Sequence, residues 1–285
     1  MAHPPPVASG SCPPLPANAI DNHCHVLDPT SRAVPGAQYA PFDAPVGKYE
    51  QQLRALGINR GVLVTASTHG TNNQPMLNAL RESTSTLRGI AVVDRAISDD
   101  ELIALHNAGV RGLRLQDQFV GGTPLDALGE LGDRIVDLGW HLEVWTDLTA
   151  HLDWLPDAIQ RCAVPVVLDH LGYFPMESPQ QAAATGVMID LARAGDAWIT
   201  VSGAYRLSPV PAPSAAGRHL APRVHQLLEQ VPDRLLWGSD WPHVAPPHGV
   251  PTIDELLAEL DEWCGHDPAL IKQLTVTNNA ACYNF

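Results

Sequence analysis

The chain has 285 residues, 45% of them hydrophobic and 6% aromatic, and carries a formal charge of −14. That composition supports a sizeable folded core, and no apolar run approaches the roughly 20 residues of a membrane span. The acidity argues against nucleic acid or an anionic membrane as a partner, because both are bound through basic patches.

Residues 1–18 hold six prolines and no apolar stretch of the secretory kind, so they are expected to form a poorly ordered arm ahead of one domain spanning 19–285. The five cysteines, Cys12, Cys24, Cys162, Cys264 and Cys282, are odd in number and lack paired spacing. They read as reduced thiols of a cytoplasmic protein.

From residue 19 onward, short apolar runs alternate with longer helical patterns. The runs are 19–24, 61–66, 89–93, 112–115, 142–145, 165–168, 198–201 and 235–237. Helices are expected near 48–56, 74–85, 99–108, 124–138, 152–162, 180–194, 221–230 and 253–263, with Ser98 and Thr123 as candidate caps. Eight strand-helix units imply right-handed crossovers and a parallel sheet, which closes most naturally into a single-domain α/β (β/α)8 TIM barrel. An open doubly wound sheet would usually place a glycine-rich phosphate loop after its first strand. Here that strand ends in Asp21-Asn22-His23-Cys24-His25.

In such a barrel, chemistry gathers where strands end. His23 and His25 alternate along the first strand and so share a face, with Asp21 behind them. Two imidazoles converging on one point can bind a divalent metal or aim N–H donors at a developing oxyanion. The second strand runs into Ser67 and His69, the fourth ends at Arg111 and Arg114, and the sixth gives Asp169-His170. The seventh leads to Tyr205-Arg206 and the eighth to Asp240 and His243. Arginines at the end of a buried strand are best explained by an anion, and Asp240 is a carboxylate with no adjacent cation in sequence. His141 begins the fifth strand, the wrong end for chemistry, and reads as structural.

The ordered set, Asp-x-His-x-His on strand one, Thr-His-Gly-Thr-Asn-Asn after strand two, Asp-His after strand six, Val-Ser-Gly-x-Tyr-Arg after strand seven and Gly-Ser-Asp-Trp-Pro-His after strand eight, resembles the amidohydrolase superfamily. Within it, the set is similar to the branch of sugar-lactone and pyrone-lactone hydrolases. The resemblance implies a hydrolase that opens a carboxylated lactone, with Asp240 as the base that activates water and His23, His25 and His170 around the lactone carbonyl. It places Arg114 and Arg206 on a substrate carboxylate, and Ser67, His69, Tyr173 and His243 in the same pocket. Two departures stand out. Leu115-Gln116-Asp117-Gln118 follows Arg114 where dicarboxylate lactonases have a further basic residue, and Tyr173 stands where they carry an arginine.

The superfamily's binuclear members place a bridging ligand at the end of strand four and a histidine at the end of strand five. Here Arg114-Leu115 and Val144-Trp145 occupy those places, so two metals are not expected. His23, His25, His170 and Asp240 suffice for one zinc ion, or for a site that needs no cofactor, in which Asp240 favours one protonated histidine. Other activities open to the resemblance are a metal-dependent decarboxylase of aromatic acids and a lactone isomerase. The partner expected is a small anionic lactone, with self-association into a homo-oligomer left open.

Overall fold

The computed structural model describes residues 14–285, so most of the expected N-terminal arm, and Cys12 with it, lies outside the described residues. Within its described end, Leu15 packs into the core.

All eight apolar runs form strands: β1 (Asp21–Cys24), β2 (Arg60–Val64), β3 (Thr86–Ala91), β4 (Val110–Gln116), β5 (His141–Trp145), β6 (Val166–Leu168), β7 (Ala197–Val201) and β8 (Leu235–Trp237). Each pairs in parallel with the next, in the order β1 to β8. Beyond the last strand a bridge between Cys24 and Trp241 joins the two ends, with Asp240 N–H donating to His23 O at 2.9 Å and His25 N–H donating to Trp241 O at 2.7 Å. The sheet is thereby closed into a (β/α)8 barrel.

The helices follow the apolar periodicity where their caps are strong. Asp99–Asn107 opens on a capping box, in which Ser98 and Glu101 satisfy each other's backbone N–H groups. Thr123 does not cap; its hydroxyl donates to Val93 O at 2.6 Å, and the turn after it begins at Leu125. The helix expected at 221–230 begins eight residues earlier and runs Pro213–Gln230, with Pro222 inside it. Pro222 sits within the second half of this longer helix.

Residues after 263 form further helical turns, among them Asn278–Tyr283, that the sequence pattern did not single out. This segment seals the barrel floor. Tyr283 packs beneath Ile20, Val62, Val64, Ile90, Val167 and Leu236, the apolar layer of the lumen. Asn279 Nδ2 donates to Ile20 O at 2.9 Å and Trp237 O at 3.1 Å, tying the first strand to the last. No helix among the described residues is long and apolar enough to cross a membrane.

Candidate active site

The polar strand ends meet at the open rim. The loop after β8 is fixed to β1 by Asp21, which accepts from Ser239 N–H and Ser239 Oγ, both at 2.6 Å, and from Tyr49 OH at 3.1 Å. Burial pushes the Asp21 carboxyl up to about 6, against these three hydrogen bonds and a further one from the His23 backbone. Its role is to hold Ser239, and with it the next residue, Asp240.

Asp240 has a left-handed backbone, φ +61°, a conformation that costs a non-glycine residue on the order of 1 kcal/mol or more and collects at functional sites. Its Oδ2 accepts from Tyr205 OH and from Arg206 Nε, each at 2.6 Å, while Oδ1 is buried without a partner. Burial would raise this carboxyl, but the Arg206 guanidinium, aided by His170 and His23, outweighs it and holds Asp240 well below the usual carboxylate range. The result is an ionised carboxylate with one oxygen fixed and one free.

Three imidazoles surround it. The His23 ring lies 5.0 Å from that of His25 and 4.8 Å from that of His170. His25 Nδ1 donates to Val64 O at 2.8 Å, because a carbonyl can only accept; neutral His25 therefore keeps its lone pair on Nε2. His170 Nδ1 lies 2.8 Å from Ser202 Oγ, a hydroxyl that can donate and leave the proton on Nε2. His170 occupies this place because residues 170–173 all take positive φ and because Gly203 faces it; a Cβ there would meet His170 Nδ1 at 2.9 Å. Burial lowers His23 well below its ordinary value, His25 to about 4 and His170 to about 3. The expectation of one protonated histidine is therefore corrected: loss of hydration outweighs attraction to Asp240, whose charge is already answered by Arg206.

Behind His23 the lumen holds a second group of charges. Arg114 projects inward from β4 and one of its terminal nitrogens donates to Asp169 Oδ2 at 3.1 Å. His23 Nδ1 lies 3.6 Å from Asp169 Oδ1 and 4.0 Å from Glu143 Oε2, and Tyr283 OH donates to Glu143 Oε1 at 2.9 Å. Burial raises both carboxyls, Glu143 to about 7 against the pull of Arg114 and the Tyr283 hydroxyl, and Asp169 well above its ordinary value, with Glu143 adding to the rise and Arg114 opposing it. Folded Glu143 thus stays protonated while the unfolded residue ionises near 4.5, so this group's contribution to stability is full below that pH and lost as pH rises to about 7. Glu143→Gln should flatten that part of the melting-temperature profile. Parallel profiles for the two proteins between pH 4.5 and 7 would show that Glu143 does not titrate there.

A narrow cavity of about 10 Å³, room for about one water, lies over these groups and is lined by His25, Tyr39, Ser67, Arg114, Trp145, His170, Arg206, Asp240 and Val244. A lactone ring fits only when side chains at its mouth move. A larger hollow of about 570 Å³, bounded by Thr71, Leu77, Val93 and Leu105, contains none of the histidines or arginines. Of the expected pocket residues, Ser67, Arg114 and Arg206 line the cavity. Tyr173 stands at its edge, with its ring 5.1 Å from that of Trp145. His243 sits behind Tyr205, its Nδ1 3.3 Å from the phenol oxygen, and His69 is buried nearby with both ring nitrogens unpartnered.

Tyr39 and Glu143 were not singled out by sequence, and Trp145, Ser202 and Tyr205 stood within quoted stretches without a role of their own. For two of them a signal existed: His141, Glu143 and Trp145 alternate on one face of β5, placing a lone carboxylate inside an apolar strand.

For a metal, one ligand atom from each of His23, His170 and Asp240 lies within 4.8 Å of the other two. With both His23 nitrogens and Asp240 Oδ1 unpartnered, these three fit a single divalent ion. His25 stands outside that cluster.

The amidohydrolase family profile matches residues 20–285, nearly the whole chain. The chain belongs to the amidohydrolase family. It is 35% identical over 280 residues to a 2-pyrone-4,6-dicarboxylate hydrolase from Comamonas testosteroni, covering 94% of this chain and 91% of that one. A 4-sulfomuconolactone hydrolase from Rhizobium radiobacter is 33% identical over the same shares. Among solved structures, a probable 2-pyrone-4,6-dicarboxylic acid hydrolase from Acinetobacter baumannii, with citric acid bound, superposes with a TM-score of 0.83 at 28% identity, covering 94% of this chain and all of that one.

Proposed function

We propose that this amidohydrolase opens a carboxylated lactone by hydrolysis, with Asp240 as general base. One observation carries the reading: Asp240 is ionised, with Oδ2 fixed by Tyr205 and Arg206 and Oδ1 bare within a cavity the size of a water. Oδ1 takes a proton as the water oxygen bonds to the lactone carbonyl carbon. His170, its Nδ1 held by Ser202, donates Nε2–H to the carbonyl oxygen where charge develops. Collapse breaks the ring C–O bond, and the proton on Asp240 passes to the departing oxygen. His25, with its lone pair on Nε2, and His23 shape and orient the carbonyl site. Hydrolysis of a ring ester needs only a base and an oxyanion donor, contributing about 10²–10⁴-fold and about 10²–10³-fold. The relatives named for lactone hydrolysis support the same chemistry, and the free thiols of Cys24, Cys162, Cys264 and Cys282 suit the cytoplasm.

A divalent ion, if bound, would be held by His23, His170 and Asp240 and would polarise the carbonyl. The Arg206 guanidinium against Asp240 works against a cation there, since like charges a few Å apart in a buried site repel strongly. Hydrolysis is therefore expected without metal. The measurement is proton release from a panel of carboxylated lactones before and after treatment with a strong chelator, with metal content followed by elemental analysis. Activity lost on chelation and restored by stoichiometric zinc would make the three residues ligands. Rearrangement of the ring without proton release would mark an isomerase instead.

A further inference from the structure

We infer that Arg223 is a positioning residue for the active site: it fixes the backbone turn that presents His170 and Tyr173. The turn needs fixing. His170, Leu171, Gly172 and Tyr173 take φ of +50°, +57°, +73° and +55°, and the three that are not glycine carry side chains that rarely adopt this region. Such a run persists only where its surroundings over-determine it. The backbone returns to an extended conformation at Phe174, with φ −125° and ψ 146°, and it is there that Arg223 takes hold.

Arg223 belongs to helix Pro213–Gln230 and is 1% exposed. A buried charge is ordinarily answered by an opposite one. This guanidinium donates instead to two successive backbone carbonyls, from Nη1 to Phe174 O at 2.8 Å and from Nη2 to Pro175 O at 3.3 Å, and its carbon lies 3.8 Å from the centre of the Phe174 ring. A rigid planar fork bound to two carbonyls and stacked on one aromatic face leaves residues 174 and 175 little freedom to rotate, and a lysine has no such fork. Arg223 is not part of the cavity lining, so its effect on chemistry passes through the turn. Ser202 Oγ meets His170 Nδ1 at the start of the turn, and Arg223 holds its far end. The His170 imidazole and the Tyr173 phenol are carried between these two anchors. The hydrolase reading is needed only for the kinetic part of the test.

Nitrogen NMR of histidine-labelled protein tests this apart from catalysis, with the His170 and His25 signals assigned by their loss in His170→Gln and His25→Gln. In Arg223→Met the His170 ring nitrogens should shift toward the averaged values of a freely exchanging imidazole, while those of His25, on β1, stay in place. Arg223→Lys, whose ammonium can reach one carbonyl, should show a smaller shift. On a lactone substrate, kcat should fall about tenfold or more in Arg223→Met, the scale on which small misplacements of a catalytic group act, and Arg223→Lys should recover most of that loss. Unmoved His170 signals in folded Arg223→Met overturn the proposal. So do His25 signals that move as far as those of His170, which would mark general loosening, and a wild-type kcat beside a shifted His170. If Arg223→Met does not fold, Arg223→Lys decides by the same comparison: shifted His170 beside unmoved His25 supports the role, and unmoved His170 overturns it. If the His170 signals respond as expected and no lactone is opened, the positioning role stands and the hydrolase reading falls.

Discussion

Asp240→Asn is expected to fold as the wild type does and to lower turnover by about 10²–10⁴-fold. The amide oxygen can still accept from Tyr205 and Arg206, which preserves the hydrogen bonds at Oδ2. Its nitrogen, standing where Oδ1 is bare, cannot take a proton from water. The loss should therefore appear in kcat, measured on protein whose circular dichroism matches the wild type at the assay temperature; a lower melting temperature is expected, because Arg206 keeps a buried charge without its counter-ion. Near wild-type turnover in such a protein would remove Asp240 from the chemistry.

The second large effect falls on Arg206. By resemblance it is a substrate-binding arginine, but its Nε lies 2.6 Å from Asp240 Oδ2, and both side chains are almost wholly buried. Removing one partner of a buried ion pair costs about 3–5 kcal/mol, because the other charge is left without an answer. Arg206→Met should thus lower the urea midpoint of unfolding. Without the guanidinium, burial wins and the Asp240 carboxyl rises, so more of the base is protonated at acidic pH and kcat falls there more than KM changes. A variant with unchanged stability that only raises KM would return Arg206 to the substrate alone.

These two cases show what the sequence carried and where it stopped. The eight strands were legible because each is a short apolar run bounded by turns, and period-two alternation along β1 placed His23 and His25 on one face. Asp240, His170 and Arg114 were legible as polar residues at strand ends, where a buried charge calls for a use. Pairing across the rim was not. Nothing local to Asp240 says that Tyr205 and Arg206, more than thirty residues earlier, bind its Oδ2, because those contacts are fixed by how two neighbouring loops turn. The lowered histidine values were missed for a similar reason. Adjacent charges can be read from a motif, whereas loss of hydration depends on the whole barrel closing around the site. The floor helix Asn278–Tyr283 escaped notice because its partners, Glu143, Ile20 and Trp237, are scattered through the chain.

The hydrogen bonds that join the two ends of the barrel are also those that position the base: Asp240 N–H on His23 O, His25 N–H on Trp241 O, and Ser239 on Asp21. The residues they join lie more than two hundred positions apart, so the earlier ones leave the ribosome well before the later ones are made. A ribosome-bound or prematurely terminated chain lacking the last strand and its loop holds His23 and His25 but has no Asp240 to set beside them. Synthesis proceeds at roughly 5–20 residues per second, so more than ten seconds separate the two halves of the site. Turnover consequently requires synthesis through β8 and its loop, and it can serve as an assay for ring closure in a growing cell.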